Sequence, residues 1–254
     1  MIDLHSHILR GVDDGARTLE ESVAIASAAV AAGITTMAAT PHVRDDWPTE
    51  VGVMEDRVAE LRAELEQREI PLDLRPGGEI AAGWIVKLPM EELRRFGLGG
   101  NPRYLLVETP YYGWPSGLRQ QLRVLHKAGI TPVLAHPERN AEVQARPELL
   151  VRLVEAGTLV QVTAASLDGR IGARARNCAL ALIRNRLVHL LASDAHHASV
   201  RAVGMTAAAR AIGHEPLADW LTWDVPGAIV DDTGIPRRPP GGPKESLLGK
   251  LFRA

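Results

Sequence analysis

The chain has 254 residues, 46% of them hydrophobic and 24% charged, with a formal net charge of −2 at pH 7. That composition supports a sizeable core at a length that single barrel domains reach, and it excludes a disordered chain or the basic surface of a nucleic-acid binder. The opening MIDLHSHILRGVDDG has no basic region followed by an apolar run and does not read as a secretory signal. No apolar stretch is long enough to predict a membrane span. The single cysteine, Cys178, permits no intrachain disulfide and fits a cytoplasmic location.

Short apolar runs alternate with amphipathic windows along the chain. Strands are predicted at residues 1–5, 36–39, 72–79, 104–108, 132–135, 159–162 and 187–192. Helices are predicted at 19–32, 51–67, 118–128, 147–156 and 173–186, with two more, 201–212 and 216–223, after the last strand. Gly33, Gly129 and Gly157 each follow a helical window, where a left-handed cap favours glycine. Repeated strand–helix units imply a parallel sheet, and seven of them predict an α/β barrel or strongly curved sheet. Segment 234–244, GIPRRPPGGPK, reads as a linker or tail. The terminal SLLGKLFRA reads as a disordered end, or as one or two amphipathic turns that dock on the domain, a partner or a membrane surface.

His5 and His7 are two apart on the first strand, so their side chains share a face and can grip one ion. A lone pair of this kind is weak evidence. Six further residues stand at or just after later strand ends: His42, Glu79, Glu108, His136, Asp194 and His196, with Asp14 in the loop after the first strand. In a strand–helix barrel that rim is where sites are built. Polar side chains buried there cost free energy unless they are paired or hold a metal. A single such residue is usually a satisfied polar group; a set contributed by six of the seven strands is not explained that way. Histidines and carboxylates without thiolates suit Zn, Mn or Fe. The number of ligands fits two or three ions sharing Glu79 or Glu108, a clustering that activates water and clamps phosphoryl oxygens.

The segments DLHSHILRGVDDGA, TPHV, GGEI, LLVETP, LAHPERN and ASDAHH, in this order, resemble the polymerase and histidinol phosphatase (PHP) superfamily. Within it they are most similar to the bacterial metal-dependent protein-tyrosine phosphatases of capsule and exopolysaccharide clusters, the CpsB/CapC/YwqE type. The resemblance covers roughly residues 1–235, implying a PHP phosphatase domain there and a Pro/Gly-rich tail at 236–254. It implies a distorted, TIM-like seven-stranded (β/α) barrel with a three-metal site, manganese foremost and Fe or Zn as alternatives. One ion would take His5, His7 and Asp194, with Glu79 bridging to a second that also takes Glu108 and His136. The third would take Asp14, His42 and His196. Asp14 stands where many superfamily members have histidine and is similar to the tyrosine phosphatase branch.

The implied reaction is hydrolysis of phosphotyrosine on a protein by a metal-bound hydroxide, without a phosphoenzyme. The expected partner is a bacterial capsule-regulating tyrosine kinase with a tyrosine-rich tail. Arg139 and Arg201 resemble the family's phosphate-contacting arginines, for which a planar guanidinium is suited, although either fits a rim salt bridge. Asp194 and His196 are candidates for passing a proton to the leaving phenolate. Arg10 departs from the proline common in the family and is expected to draw anionic peptide to the mouth. His197 departs from a common asparagine and faces either rim or solvent.

Cys178 and Arg184 have the C-x5-R spacing of cysteine-dependent phosphatases, but the intervening ALALI reads as a buried helix face rather than a phosphate loop. Asp13 reads as a loop or cap residue. His126, His189 and His214 read as surface or packing residues. Trp47, Tyr111, Tyr112 and Trp114, in loops after ligand-bearing strands, are expected either to line a pocket for an aryl ring or to cover the rim. The competing readings are a small-molecule phosphatase of histidinol-phosphate or nucleotide type, and a metal-bound binding domain without activity. The intact ligand set argues against the last, and the charge balance argues against a nuclease.

Overall fold

The strands of the computed structural model, which describes residues 1–198 and 204–241, are β1 (Ile2–Ser6), β2 (Thr36–Ala39), β3 (His42–Arg44), β4 (Trp47–Pro48), β5 (Asp73–Arg75), β6 (Glu79–Ala81), β7 (Tyr104–Glu108), β8 (Thr131–Ala135), β9 (Leu159–Thr163) and β10 (Leu190–Ala192). They form a three-stranded sheet ordered β1-β2-β5 and a seven-stranded sheet ordered β10-β9-β8-β7-β6-β3-β4. Within these sheets every pairing is parallel except β3 with β4.

The break between the two sheets has a local cause. β2 and β3 are separated at Thr40 and Pro41, and β5 and β6 at Pro76, Gly77 and Gly78. Proline has no N–H for a ladder. The strand expected over 72–79 is therefore two short ones. The stranded carbonyls find other donors: Glu79 N–H donates to Pro41 O (3.0 Å) and Gly100 N–H to Pro76 O (2.8 Å).

The fold is thus α/β with a parallel sheet, but the expected continuous seven-stranded barrel is not closed. Between β10 and β1 there is a single bridge, Ser6 with Ala195. Asp194 N–H donates to His5 O (2.9 Å) and His7 N–H to Ala195 O (2.8 Å). β10 has only three residues, and the left-handed backbone of Asp194 (φ 55°) turns the chain out of register there.

The helices are α1 (Leu19–Ala31), α2 (Val51–Gln67), α3 (Met90–Arg95), α4 (Leu118–Lys127), α5 (Ala141–Ala145), α6 (Val151–Glu155), α7 (Ala164–Leu167), α8 (Ala173–Arg184), α9 (Gly204–Ile212), α10 (Glu215–Asp219) and α11 (Val225–Val230). α1 starts where the Thr18 hydroxyl accepts Glu21 N–H (3.2 Å), and Glu20 and Glu21 favour its positive end. α2 buries Val51, Met54, Val58, Leu61 and Leu65, a three- and four-residue spacing that forms one stripe. Each such side chain contributes about 1.5–3 kcal/mol, so Leu61→Ala is expected to cost about 2–5 kcal/mol. Gly33, Gly129 and Gly157 all have positive φ at the helix ends where the sequence places them.

The helix expected at 147–156 begins as a tight turn, Pro147–Leu150, before α6. The one expected at 216–223 is α10 followed by a wider turn, Trp220–Asp224, in which Thr222 Oγ donates back to Ala218 O (2.8 Å). The start of the Pro/Gly-rich segment lies against the domain: Trp220 Nε1–H donates to Pro236 O (3.0 Å) and Arg238 Nη2 to Ile183 O (2.9 Å). SLLGKLFRA lies outside the described residues.

Candidate metal centre

Strand ends deliver the cluster. β1 carries His5 and, just beyond it, His7; β3 starts with His42, β6 with Glu79; β7 ends with Glu108; His136 follows β8; Asp194 and His196 follow β10. Asp14 comes from the VDDGA loop. That loop passes so close under β1 that a Cβ on Gly15 would stand 2.0 Å from His7 O, so only glycine fits.

His5 Nδ1–H donates to Gln161 Oε1 (3.1 Å), an oxygen that also accepts His136 N–H (3.2 Å). His7 Nδ1–H donates to Asp13 Oδ2 (2.7 Å), which also accepts His42 N–H (3.0 Å). Both rings therefore turn a lone pair on Nε2 toward each other, at 3.2 Å. These nitrogens also face Glu79 Oε2 (3.3 and 3.4 Å) and Asp194 Oδ1 (3.7 and 3.4 Å). Lone pairs and carboxylate oxygens at such separations repel unless a cation or proton lies among them.

Around this pair the donors fall into overlapping groups whose atoms lie within 4.8 Å of one another: His5, His7 and Asp194; His5, Glu79 and His136; His42, Glu79 and Glu108; and His7, Asp14, His42 and His196. Glu79 stands at the centre. Its Oε1 meets His136 Nε2 (2.9 Å) and its Oε2 meets His42 Nδ1 (2.9 Å). Neither Glu79 Oε2 nor His42 Nδ1 makes a hydrogen bond, and both are buried. Such orphaned buried atoms fit a metal site. His196 Nδ1–H donates to Asp194 O (3.0 Å), leaving Nε2 toward Asp14 Oδ1 (3.3 Å), which also faces His42 Nε2 (3.4 Å). Glu108 and His136, which the resemblance puts on one ion, fall in different groups, joined only through Glu79.

The electrostatics tell the same story. Burial would raise the Glu79 carboxyl, but His5 and His42 hold it well below the usual range. Burial opposes the charge on His7, yet Asp13 raises it well above the ordinary value. Burial and the nearby Glu79 charge push Glu108 up to about 7. The cluster carries more carboxylate than its surroundings tolerate, and cations or protons must supply the balance.

The cluster opens into a cleft of about 320 Å³ lined by Asp14, His42, Tyr111, His136, Arg139, Asp194, His196 and His197. Arg139 Nη1–H donates to Asp194 Oδ2 (2.7 Å), and its guanidinium lies 4.5 Å above the Tyr111 ring. Burial would raise the Asp194 carboxyl too, but the neighbouring His7 and His5 imidazoles hold it well below the usual range. Arg201 lies outside the described residues. Of the four aromatic candidates only Tyr111 lines this cleft. Trp114 packs on the core, Trp47 pairs in β4 with β3, and Tyr112 is 83% exposed beside a neighbouring groove.

Arg10 does not offer a free charge at the mouth; it is paired with Glu60 of α2 (2.6 Å). Cys178 is buried in α8 and burial pushes its thiol up to about 12, the opposite of a nucleophile. His126 meets Thr158 Oγ1, His189 Nδ1 accepts Val160 N–H and His214 accepts Leu217 N–H, so these three make local contacts outside the cluster.

Several residues that shape the cluster escaped the sequence reading. Asp13 caps its loop as expected, its Oδ1 accepting Gly15 N–H (3.0 Å), and is also a buried anchor for His7. Gln161, fixing His5, is the polar residue inside the apolar strand LVQVT, which was its one signal. Arg44 donates to Glu108 Oε2 (3.3 Å). Within HPERN, Asn140 caps α5 through Oδ1 and uses Nδ2 to hold Pro110 O (2.7 Å) and Gly113 O (3.1 Å). Glu138 Oε1 accepts Thr163 N–H (2.9 Å) and Ser166 Oγ–H (2.6 Å).

Residues 1–222 match the model of the family described as capsular polysaccharide synthesis, CpsB/CapC. The chain is 37% identical over 202 residues to tyrosine-protein phosphatase YwqE of Bacillus subtilis, spanning 79% of each chain. It is 34% identical over 199 residues to the protein named putative tyrosine-protein phosphatase CapC of Staphylococcus aureus, spanning 77% of each. Among solved structures, one from a study of YwqE from Bacillus subtilis and CpsB from Streptococcus pneumoniae, described as unique metal-dependent tyrosine phosphatases, superposes with a TM-score of 0.84. It is 32% identical, covering 96% of this chain and 100% of that one.

Proposed function

The chain belongs to the CpsB/CapC family of capsular polysaccharide synthesis, and from that premise we propose that it is a metal-dependent phosphatase that hydrolyses phosphotyrosine on protein. The observation that carries this reading is the facing of His5 Nε2 and His7 Nε2 at 3.2 Å over Glu79 and Asp194, in a cleft walled by Arg139 and Tyr111. The relatives' names, tyrosine-protein phosphatases, point the same way.

We assign His5, His7, Asp14, His42, Glu79, Glu108, His136, Asp194 and His196 as ligands of two or three divalent ions, Mn foremost and Fe or Zn by the same donor chemistry. Ions held there supply activation of water and neutralisation of phosphoryl charge. The protein's own groups do the rest. Arg139 binds phosphoryl oxygens with the guanidinium edge that Asp194 leaves free, and Arg201 is assigned the same task. Tyr111 offers its face to the aryl ring. The ionised Asp194 has no proton to give and serves to aim Arg139. His196, with Nδ1–H committed to Asp194 O, is assigned to the third ion. A tyrosyl phenolate, with a pKa of about 10, takes its proton from water at the open mouth.

The same reading takes residues 1–235 as the phosphatase unit with 236–254 as its tail, and the two sheets as one distorted seven-position barrel. No described helix is long and apolar enough to cross a membrane. We place the reaction in the cytoplasm, where the free Cys178 stays reduced, with a tyrosine kinase of capsule synthesis as substrate protein.

The test compares turnover of a phosphotyrosine peptide, a phosphoserine peptide and histidinol phosphate, with Mn, Fe or Zn and with chelator. Metal-dependent preference for phosphotyrosine is expected. Preference for histidinol phosphate would replace the reading with a small-molecule phosphatase, and no turnover at full metal loading would leave a binding domain.

A further inference from the structure

Beside the cleft lies a groove of about 460 Å³ lined by Tyr111, Tyr112, Arg139, Gln144 and the turn 171–175, which includes Arg174. It shares Tyr111 and Arg139 with the cleft. The groove therefore offers a continuous path for the residues that neighbour a phosphotyrosine seated in the cleft.

The groove has a charge and a fixed shape. It is lined by two guanidiniums and no carboxylate. Arg139 is committed to Asp194 Oδ2. Among the described residues no acidic side chain pairs with Arg174, which is exposed at the start of α8. Tyr111 and Tyr112, two of the few large apolar side chains exposed on the described surface, stand on the same groove. Their loop is held in place: Ala141 N–H donates to Tyr111 O (2.9 Å), Gly113 N–H to Glu142 Oε1 (3.1 Å), and Asn140 Nδ2 to the carbonyls of Pro110 and Gly113. A wall fixed in advance loses little entropy on binding.

We propose that this groove receives acidic residues flanking the phosphotyrosine, and that Arg174 is the specificity-determining residue that reads them. The inference rests on the phosphotyrosine reading above, but it concerns sequence preference rather than chemistry. An acidic side chain seated between the two tyrosines gains a guanidinium partner and displaces none, whereas a basic one meets two like charges.

The experiment uses the full metal-loaded chain and two peptides carrying non-hydrolysable phosphonomethylphenylalanine, one flanked by glutamates and one by alanines. Their Kd values are measured by fluorescence anisotropy. The wild type is expected to prefer the glutamate peptide by about fivefold at low salt, as an exposed charge pair allows. Arg174→Gln should bring that ratio to about one, and Arg174→Glu should invert it. Arg123→Glu, the same charge change on α4 and outside the groove, should keep the wild-type ratio. No preference in the wild type, an unchanged ratio in Arg174→Glu, or an equal change in Arg123→Glu would overturn the inference. Turnover of p-nitrophenyl phosphate by the same wild-type sample reads the phosphatase assignment separately. Its absence would sink that assignment while the Kd ratios still judge the groove.

Discussion

His7 Nδ1 stands 2.7 Å from Asp13 Oδ2, and the same oxygen accepts the backbone N–H of His42 at 3.0 Å. One carboxylate that touches no substrate thus sets the tautomer of one assigned ligand and the position of another. Carboxylates behind liganding histidines typically change metal affinity or activity by about 10–100-fold when removed. Asp13→Ala is expected to fall in that range, with fewer ions per chain by elemental analysis and an unchanged fold by circular dichroism. Wild-type metal content together with wild-type turnover would show that Asp13 only caps its loop.

Among the described residues Arg139 is the one guanidinium that lines the cleft. Removing a donor that stabilises charge in the transition state costs about 100- to 1,000-fold in kcat. Arg139→Ala should show that loss on phosphotyrosine peptide with metal content retained. Arg139→Lys should recover only part of it, because an ammonium cannot both hold Asp194 Oδ2 and present a planar edge to phosphate. Full activity in the lysine variant would remove the bidentate role.

Cations bound as assigned would neutralise a cluster otherwise crowded with carboxylate, so binding them should stabilise the fold. At a free-ion concentration of 100 times Kd, the gain is about 2.7 kcal/mol. The melting temperature should fall with chelator and return when Mn is added back, while Glu79→Gln, lacking the central carboxylate, should respond far less. A melting curve indifferent to chelator in metal-loaded wild type would contradict the assignment of these residues as ligands.

His189 lies away from the cluster and gives a clean pH test. Burial, then the charge of Arg238, depresses its imidazole from the ordinary 6.5 to about 4, and its Nδ1 must stay unprotonated to accept Val160 N–H. Above pH 6.5 it is neutral in both folded and unfolded chains. As pH falls from 6.5 toward 4 only the unfolded chain gains the proton, so stability is lost across that window and the loss is complete below it. The slope of melting temperature against pH between 6.5 and 4.5 should be shallower in His189→Asn, which keeps an acceptor but no titrating group. Equal slopes in the two proteins would show that His189 ionises freely.

Much of this was legible from periodicity and end signals. The α2 window was read to its observed bounds because its apolar residues fall three and four apart, and β7 likewise because YLLVE is a short apolar run ending on a charge. The ligand types were visible because His and carboxylate stand where apolar runs end. What escaped is what depends on residues distant in sequence. Whether β10 would pair with β1 hinged on the left-handed turn at Asp194, which no local pattern marks in a non-glycine residue. That Arg10 would be spent on Glu60, fifty residues away, and that Gln161 would hold His5, are facts of tertiary packing.

The close passage of the VDDGA loop under β1 has a consequence for reading natural variation in this chain. By size and polarity, glycine to alanine is among the mildest exchanges available. At Gly15 it is the opposite: the added methyl would occupy the space of His7's own carbonyl, and the loop that carries Asp13 and Asp14 would have to lift away. A scoring scheme that weighs side-chain chemistry would pass such a variant as neutral and would look for the defect among the histidines. The lesion would instead lie at a position with no side chain, whose contribution is the room it leaves.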